Sequence, residues 1–182
     1  MRIVGFARLK PVNPSSDAVT AGPSCGMIAR IADMDNAAEF IAMKGPVAYV
    51  HLAPEDHLPP SAVTTPAWFV VIVESKVTTT WRDEVSAWMV KSGCLYMMAW
   101  GIDCSAWDDS VDLANLKSFE FGDIPDDKFV MTTWHDKETL SEVFWFAKHT
   151  AIHPDVELKR TVLLHISSEP RERDMFFAFG TS

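Results

Sequence analysis

Cysteine is scarce in this sequence, with three thiols in 182 residues: Cys25, Cys94 and Cys104. They make neither a CxxC pair nor an even disulfide framework, so a disulfide scaffold is excluded and free thiols in a reducing, cytoplasmic setting are expected. Glycine is scarce as well. The eight glycines nowhere form GxGxxG, a phosphate loop or a GxSxG elbow, which argues against a Rossmann dehydrogenase, a P-loop NTPase and the usual α/β serine hydrolase. No apolar run approaches the ~20 residues that cross a bilayer. The opening residues MRIVGFARLKPV are broken by Arg8, Lys10 and Pro11 before a signal-peptide core can form. Basic residues are outnumbered, 16 to 25, for a net charge of −9, so neither nucleic acid nor an anionic membrane surface is expected as a partner.

What remains is an ordinary globular composition, 48% hydrophobic and 23% charged, at a length that suits one α/β domain over residues 1–182. Residues 1–65 read as a less regular N-terminal layer. Ile3–Leu9 fits a strand, Asp35 or Asn36 can cap a short helix through Ala37, Phe40, Ile41 and Met43 that Gly45 stops, and Val47–Leu52 fits another strand. The proline-rich stretch APEDHLPPSAVTTP then reads as a connection, either a linker or a loop lying across a pocket.

Residues 66–182 read as a regular βαβ core. Trp68–Val73 (WFVVIV) is a continuous β-branched run, as a strand covered on both faces requires. Thr80 can cap a helix that repeats Trp81, Val85, Trp88 and Met89 at helical spacing and ends at Gly93. Cys94–Trp100 and Phe129–Trp134 fit two more buried strands. Thr139 and Glu142 form a capping box for a helix closed by Pro154, Thr161–Ile166 is a fourth strand, and Met175–Phe179 is a short strand or a docked apolar tail. The alternation predicts a doubly wound, mostly parallel sheet with flanking helices, whose ligands bind beyond the strand carboxyl ends.

Those ends carry Glu74 and Ser75, residues 101–112, Trp134–Asp136 and Ser167–Glu169. The second set stands out. Residues 99–127 hold eight acidic side chains against Lys117 alone, seven of the nine net negative charges. Four readings compete for it. Asp108 and Asp109 could ligate a divalent metal such as Mg²⁺, which takes oxygen donors and keeps waters. Asp103, Asp108 and Asp109, with His135 as proton shuttle, could do acid/base work, because like charges held close drive carboxyl pKa values apart. The plainest alternative is a solvated helix start with Ser105 or Asp103 as N-cap and the aspartates near the positive end of the dipole. The fourth is an acidic docking face for a basic protein.

Cys104 could be a nucleophile at a helix N-terminus, but the neighbouring aspartates would hold its thiol protonated. His149 and His153, four apart, could share a helix face and bind zinc with His135, although Pro154 frays that helix and no HExxH accompanies them. His165 reads as a satisfied core histidine inside a strand. Of the seven tryptophans most suit core faces, while Trp107 and Trp134, near strand ends, could hold a planar or sugar-like ligand beside Glu74, Cys104 and Ser105.

At WGIDCSAWDDSVD and TTWHDKETLSEVFWFAKHTAIHP the chain, over about residues 66–168, resembles an uncharacterised bacterial family known as a domain of unknown function. That resemblance implies a bacterial, cytoplasmic, single-domain protein and brings no activity. The expected function is therefore small-molecule binding at the second and third strand ends, metal-assisted or acid/base if catalytic. The rival is a regulatory or immunity-type protein that covers a basic partner with residues 103–127. Convergent aspartates and His135 in a concave pocket would favour the first; acidic residues spread over a convex rim with exposed apolar side chains among them would favour the second.

Overall fold

The structure, a computed structural model, describes residues 41–44, 46–60 and 65–182. The elements run β1 (Ile41–Lys44), β2 (Val47–Leu52), β3 (Ala67–Val73), α1 (Thr79–Lys91), β4 (Cys94–Gly101), α2 (Cys104–Ser118), a 3₁₀ turn (Asp126–Lys128), β5 (Met131–His135), α3 (Leu140–His149), β6 (Arg160–Ile166) and α4 (Glu172–Thr181). Among the described residues the strands form one six-stranded sheet in the order β1-β2-β6-β3-β4-β5. Only β1 is antiparallel, so five strands are parallel.

Alternation along the central strands divides the core in two. Phe69, Val71 and Val73 of β3 face one layer with Met97, Ala99, Val162 and Leu164, covered by Trp81, Val85 and Met89 of α1 and Trp107 and Val111 of α2. Val70 and Ile72 face the other with Met98 and Leu163, covered by Val143 and Phe144 of α3 and Met175 and Phe179 of α4. Each fully buried side chain of this size contributes about 2 kcal/mol of transfer free energy. Both faces of β3 are occupied, which is why its sequence is apolar throughout instead of alternating.

This layering fixes the winding. From β3 the chain steps through α1, β4 and α2 to β5, always over the first face. α3 then returns it over the second face to β6, on the other side of β3. The direction of winding thus reverses between β3 and β6, the topological switch point at which open α/β sheets leave a crevice.

The connection 53–66 is packed rather than loose where it is described. Trp81 and Trp88 of α1 donate their indole N–H groups to the carbonyls of Asp56 (2.7 Å) and Pro59 (2.8 Å), and Glu55 accepts from the backbone and hydroxyl of Thr78.

Several boundaries differ from expectation for local reasons. The helix expected up to Gly45 is replaced, at Ile41–Lys44, by a strand paired to β2, so cross-strand hydrogen bonding overrides the local helical spacing. Its earlier part, the strand at Ile3–Leu9 and Cys25 lie outside the described residues. Thr78, not Thr80, caps α1, its hydroxyl accepting from the N–H of Trp81. β5 begins at Met131 instead of Phe129 and includes His135. α3 is closed at Thr150, ahead of Pro154, and its capping box forms as read, with Glu142 Oε2 accepting from the Thr139 N–H at 2.7 Å. Met175–Phe179 is helical because Met175 and Phe179, four apart, are buried together on one side of α4.

Candidate functional site

Strand alternation places a polar group at the switch point. Tyr49 and His51 in β2, His165 in β6 and Glu74, the residue after β3, share the sheet face that α4 covers, and His51 is the register partner of His165. His165 is fully buried. Its Nε2 lies 3.0 Å from Glu74 Oε2, and its Nδ1 lies 2.8 Å from the Tyr49 hydroxyl. Arg171, at the entrance to α4, reaches the same Glu74 oxygen with its guanidinium and donates its backbone N–H to the Tyr49 hydroxyl at 2.9 Å. His51 Nε2 donates to the Ser167 carbonyl at 2.9 Å.

The protonation pattern follows from these partners. Burial pushes Glu74 up, but hydrogen bonds from His165 and Arg171 outweigh it and hold the carboxyl below its ordinary range. Burial pushes His165 down, against the pull of Glu74. A neutral His165 facing an ionised Glu74 carries its proton on Nε2, which leaves Nδ1 to accept from Tyr49. The Ser167 hydroxyl, 3.3 Å from Nδ1, donates to the Glu169 carbonyl at 2.7 Å, so Tyr49 is the donor to the ring. The Glu74 side chain keeps 29% of its surface exposed and that of Arg171 44%. Solvent therefore meets a carboxylate and a guanidinium, with His165 and Tyr49 behind them.

Of the residues expected at the ends of β4 and β5, the Cys104 thiol does meet the backbone N–H of His135, but the acid/base set of Asp108, Asp109 and the His135 ring is not brought together. Thr132 and His135, three apart on β5, project to opposite faces of the sheet. His135 is buried on the α3 side, its ring 5.1 Å from that of Phe146, and burial lowers its pKa. Asp108 and Asp112 sit on α2, on the other face, where the Thr132 hydroxyl donates to Asp112 Oδ1 at 2.9 Å. Burial, with Asp109 and Asp112 nearby, raises Asp108, and its Oδ1 is buried without a hydrogen-bond partner. Asp103, Ser105 and Asp109 are exposed. Asp103, one of the two expected caps, does occupy the N-cap position of α2, at φ 53° and without a capping hydrogen bond from its side chain, whereas Ser105 lies inside the helix.

Trp107 is 1% exposed and belongs to the core, with no ring face left for a ligand, whereas Trp134 is exposed on the edge strand. Cys104 is buried; burial raises its thiol and the charge of Asp136 adds to this, although backbone N–H groups of His135 and Ser105 pull the other way. His149, at the end of α3, packs at a tilt against Trp145, ring centroids 5.0 Å apart. His153, beyond the helix, donates to the Phe129 carbonyl and accepts from the N–H groups of Asp155 and Val156, so the two histidines do different work. No three His, Cys, Asp or Glu side chains among the described residues are grouped to hold a metal ion.

Of the expected ligand-binding residues, then, only Glu74 stands at the switch point. Tyr49, His51 and Arg171 carried no sequence signal of their own. The one available clue was a titratable residue, His165, inside the otherwise apolar strand TVLLHI.

A family described as a domain of unknown function, DUF7684, matches residues 47–179. The chain belongs to this family. DUF7684 begins with β2 and ends in α4, so Tyr49, His51, Glu74, His165 and Arg171 all lie within the matched segment, and β1 lies before it. No curated protein and no solved structure matches the chain.

Proposed function

We propose that this DUF7684 chain binds a small polar molecule at the carboxyl ends of β3 and β6, with Glu74 and Arg171 as the groups that touch it. The observation that carries this reading is the Glu74–His165–Tyr49 hydrogen-bonded array, braced by Arg171, at the switch point of a parallel sheet. Among the described residues His165 and Arg171 both take Oε2 of Glu74, which leaves Oε1 to accept a hydroxyl or ammonium proton. The guanidinium has five N–H donors in a planar fork, a match for a carboxylate or phosphate. The ligand class is thus a small molecule with an anionic group and a hydroxyl or ammonium nearby. If chemistry occurs there, it is proton transfer to Glu74, positioned by neutral His165.

A thermal-shift titration with inorganic phosphate, hydroxy acids, amino acids and sugar phosphates tests this on wild type, Glu74→Gln and Arg171→Ala. A ligand at about 100 times its dissociation constant stabilises the fold by roughly 2.7 kcal/mol. At least one compound of the class should raise the wild-type Tm, and Arg171→Ala should abolish the rise. A panel that leaves wild type unmoved, or a rise indifferent to both substitutions, overturns the reading.

A further inference from the structure

The acidic segment has its own surface, away from the switch point. On α2, Asp109, Asp112, Leu113 and Leu116 follow one another at i, i+3, i+4 and i+7 and are all exposed, so one outward stripe combines carboxylates with leucines. Four of the eight exposed large apolar side chains among the described residues fall within seventeen positions: Leu113, Leu116, Phe121 and Phe129. Exposed apolar side chains scattered singly need no explanation, but this concentration does.

The arrangement is held in place. Past the end of α2 the Phe121 N–H bonds the Leu116 carbonyl at 2.9 Å and the Glu120 N–H bonds that of Lys117 at 3.1 Å, a Schellman closure. Glu120 and Phe121 both adopt positive φ, 54° and 59°, and Phe121 is left 66% exposed. Asn115, buried, donates to the Lys128 carbonyl and accepts from the Val130 N–H, tying the far end of the connection back to the helix. Around these apolar groups the exposed acids Glu120, Asp123, Asp126 and Asp127 continue the charge of the stripe. Three lysines are nearby: Lys91 and Lys117 line the groove between α1 and α2 beside Leu113, and Lys128 pairs with Asp127 at 3.3 Å.

We infer that this face docks a protein segment that is both basic and apolar, an amphipathic helix carrying Lys or Arg among Leu, Ile or Phe. Charge decides the occupant. Carboxylates repel nucleic acid and anionic lipid, and a second copy meeting this face with its own would set like charges against each other. A basic amphipathic helix instead buries Phe121 and the leucines while its cations meet the acidic rim.

The test uses the full chain and a labelled synthetic peptide of helically spaced Lys and Leu, followed by fluorescence anisotropy at low and physiological salt, with a Glu/Leu peptide as counterpart. The Lys/Leu peptide should bind and the Glu/Leu peptide should not. Leu116→Ser/Phe121→Ser should weaken binding about tenfold or more, as for a central apolar anchor. Asp126→Asn/Asp127→Asn should weaken it mainly at low salt. All four positions are exposed, so the fold tolerates the changes. Failure to bind at low salt overturns the proposal, as does binding indifferent to Leu116→Ser/Phe121→Ser. Equal weakening by Glu157→Gln/Glu169→Gln, which removes the same charge elsewhere, shows attraction to net charge only and overturns it too. Self-association in sedimentation that Leu116→Ser/Phe121→Ser abolishes would make a second copy the occupant instead.

Discussion

His165 and Glu74, 91 positions apart in sequence, are joined by a 3.0 Å hydrogen bond at the point where the sheet reverses its winding. The bond matters because it connects a fully buried imidazole to a carboxylate that solvent can reach. Burial keeps the imidazole neutral, and hydrogen bonding keeps the carboxylate ionised. Two groups with opposite protonation habits therefore share one proton position.

A pH dependence of stability follows. His165 and His135 both have folded pKa values lowered by burial, while an unfolded histidine takes up a proton near pH 6.5. Below that pH the unfolded chain binds more protons than the native one, so stability falls on acidification, by up to about 1.4 kcal/mol per pH unit for each histidine. Glu74, lowered in the fold, stabilises throughout this window, and its contribution is lost only at lower pH as its folded pKa is crossed. Urea unfolding at about pH 7.5, 6.5 and 5.5 should show the decline, and His135→Gln should make it shallower. Constant stability over that range would contradict neutral buried histidines.

Tyr49 bridges two elements with one oxygen, donating to His165 Nδ1 and accepting from the Arg171 N–H. Tyr49→Phe keeps the ring but leaves a buried acceptor and a backbone donor without this partner, which should cost about 1–3 kcal/mol. Amide exchange in the first turn of α4 should quicken more than in α1. A uniform change in both helices would mean that the hydroxyl does not anchor α4.

These links show what was legible in the sequence. Periodicity finds elements whose pattern is local: the β-branched run of β3 and the Thr139–Glu142 box are recoverable because the interactions behind them span a few residues. It cannot find partners. Tyr49 bonds His165 across 116 positions and Arg171 across 122, and both depend on β6 inserting between β2 and β3. Acidic density is local and marks residues 103–112 instead, where side-chain alternation on β5 puts His135 and the Asp112 partner Thr132 on opposite faces. Short apolar segments were also ambiguous. Ile41–Lys44 became a strand and Met175–Phe179 a helix, since tertiary pairing and burial decide where four or five residues do not.

Gly101 is a position where glycine is required. Its φ is +100°, and a Cβ there would lie 2.2 Å from the Val73 carbonyl oxygen, which also accepts from the Ile102 N–H at 2.9 Å. The obstacle is backbone of β3, immediately before Glu74, and it cannot rotate away. Gly101→Ala should therefore destabilise by more than 2 kcal/mol, about the sum of left-handed strain and displaced backbone. It should also weaken any ligand that depends on Glu74 out of proportion to the same substitution at Gly180, where an added Cβ meets nothing within 4 Å. Equal Tm values for Gly101→Ala and Gly180→Ala would refute this.

Asp108 presents the opposite case, a charge the fold would be better without. It is 9% exposed, its Oδ1 has no hydrogen-bond partner, and burial with the nearby carboxylates of Asp112 and Asp109 raises its pKa. A carboxyl with a raised folded pKa favours the native state when protonated, so its contribution is present in acid and is lost as pH rises through the folded value. Asp108→Asn removes the charge at nearly constant volume and should raise stability at pH 7 by about 1 kcal/mol. The advantage should shrink on acidification, because the wild-type carboxyl then becomes neutral as well. Asp109→Asn, at an exposed neighbour, should change stability by less than about 0.5 kcal/mol at any pH. If Asp108→Asn were instead less stable at neutral pH, the carboxylate would be gaining more from the Thr132 hydroxyl than its burial costs, and the charge on α2 would be a stabilising one.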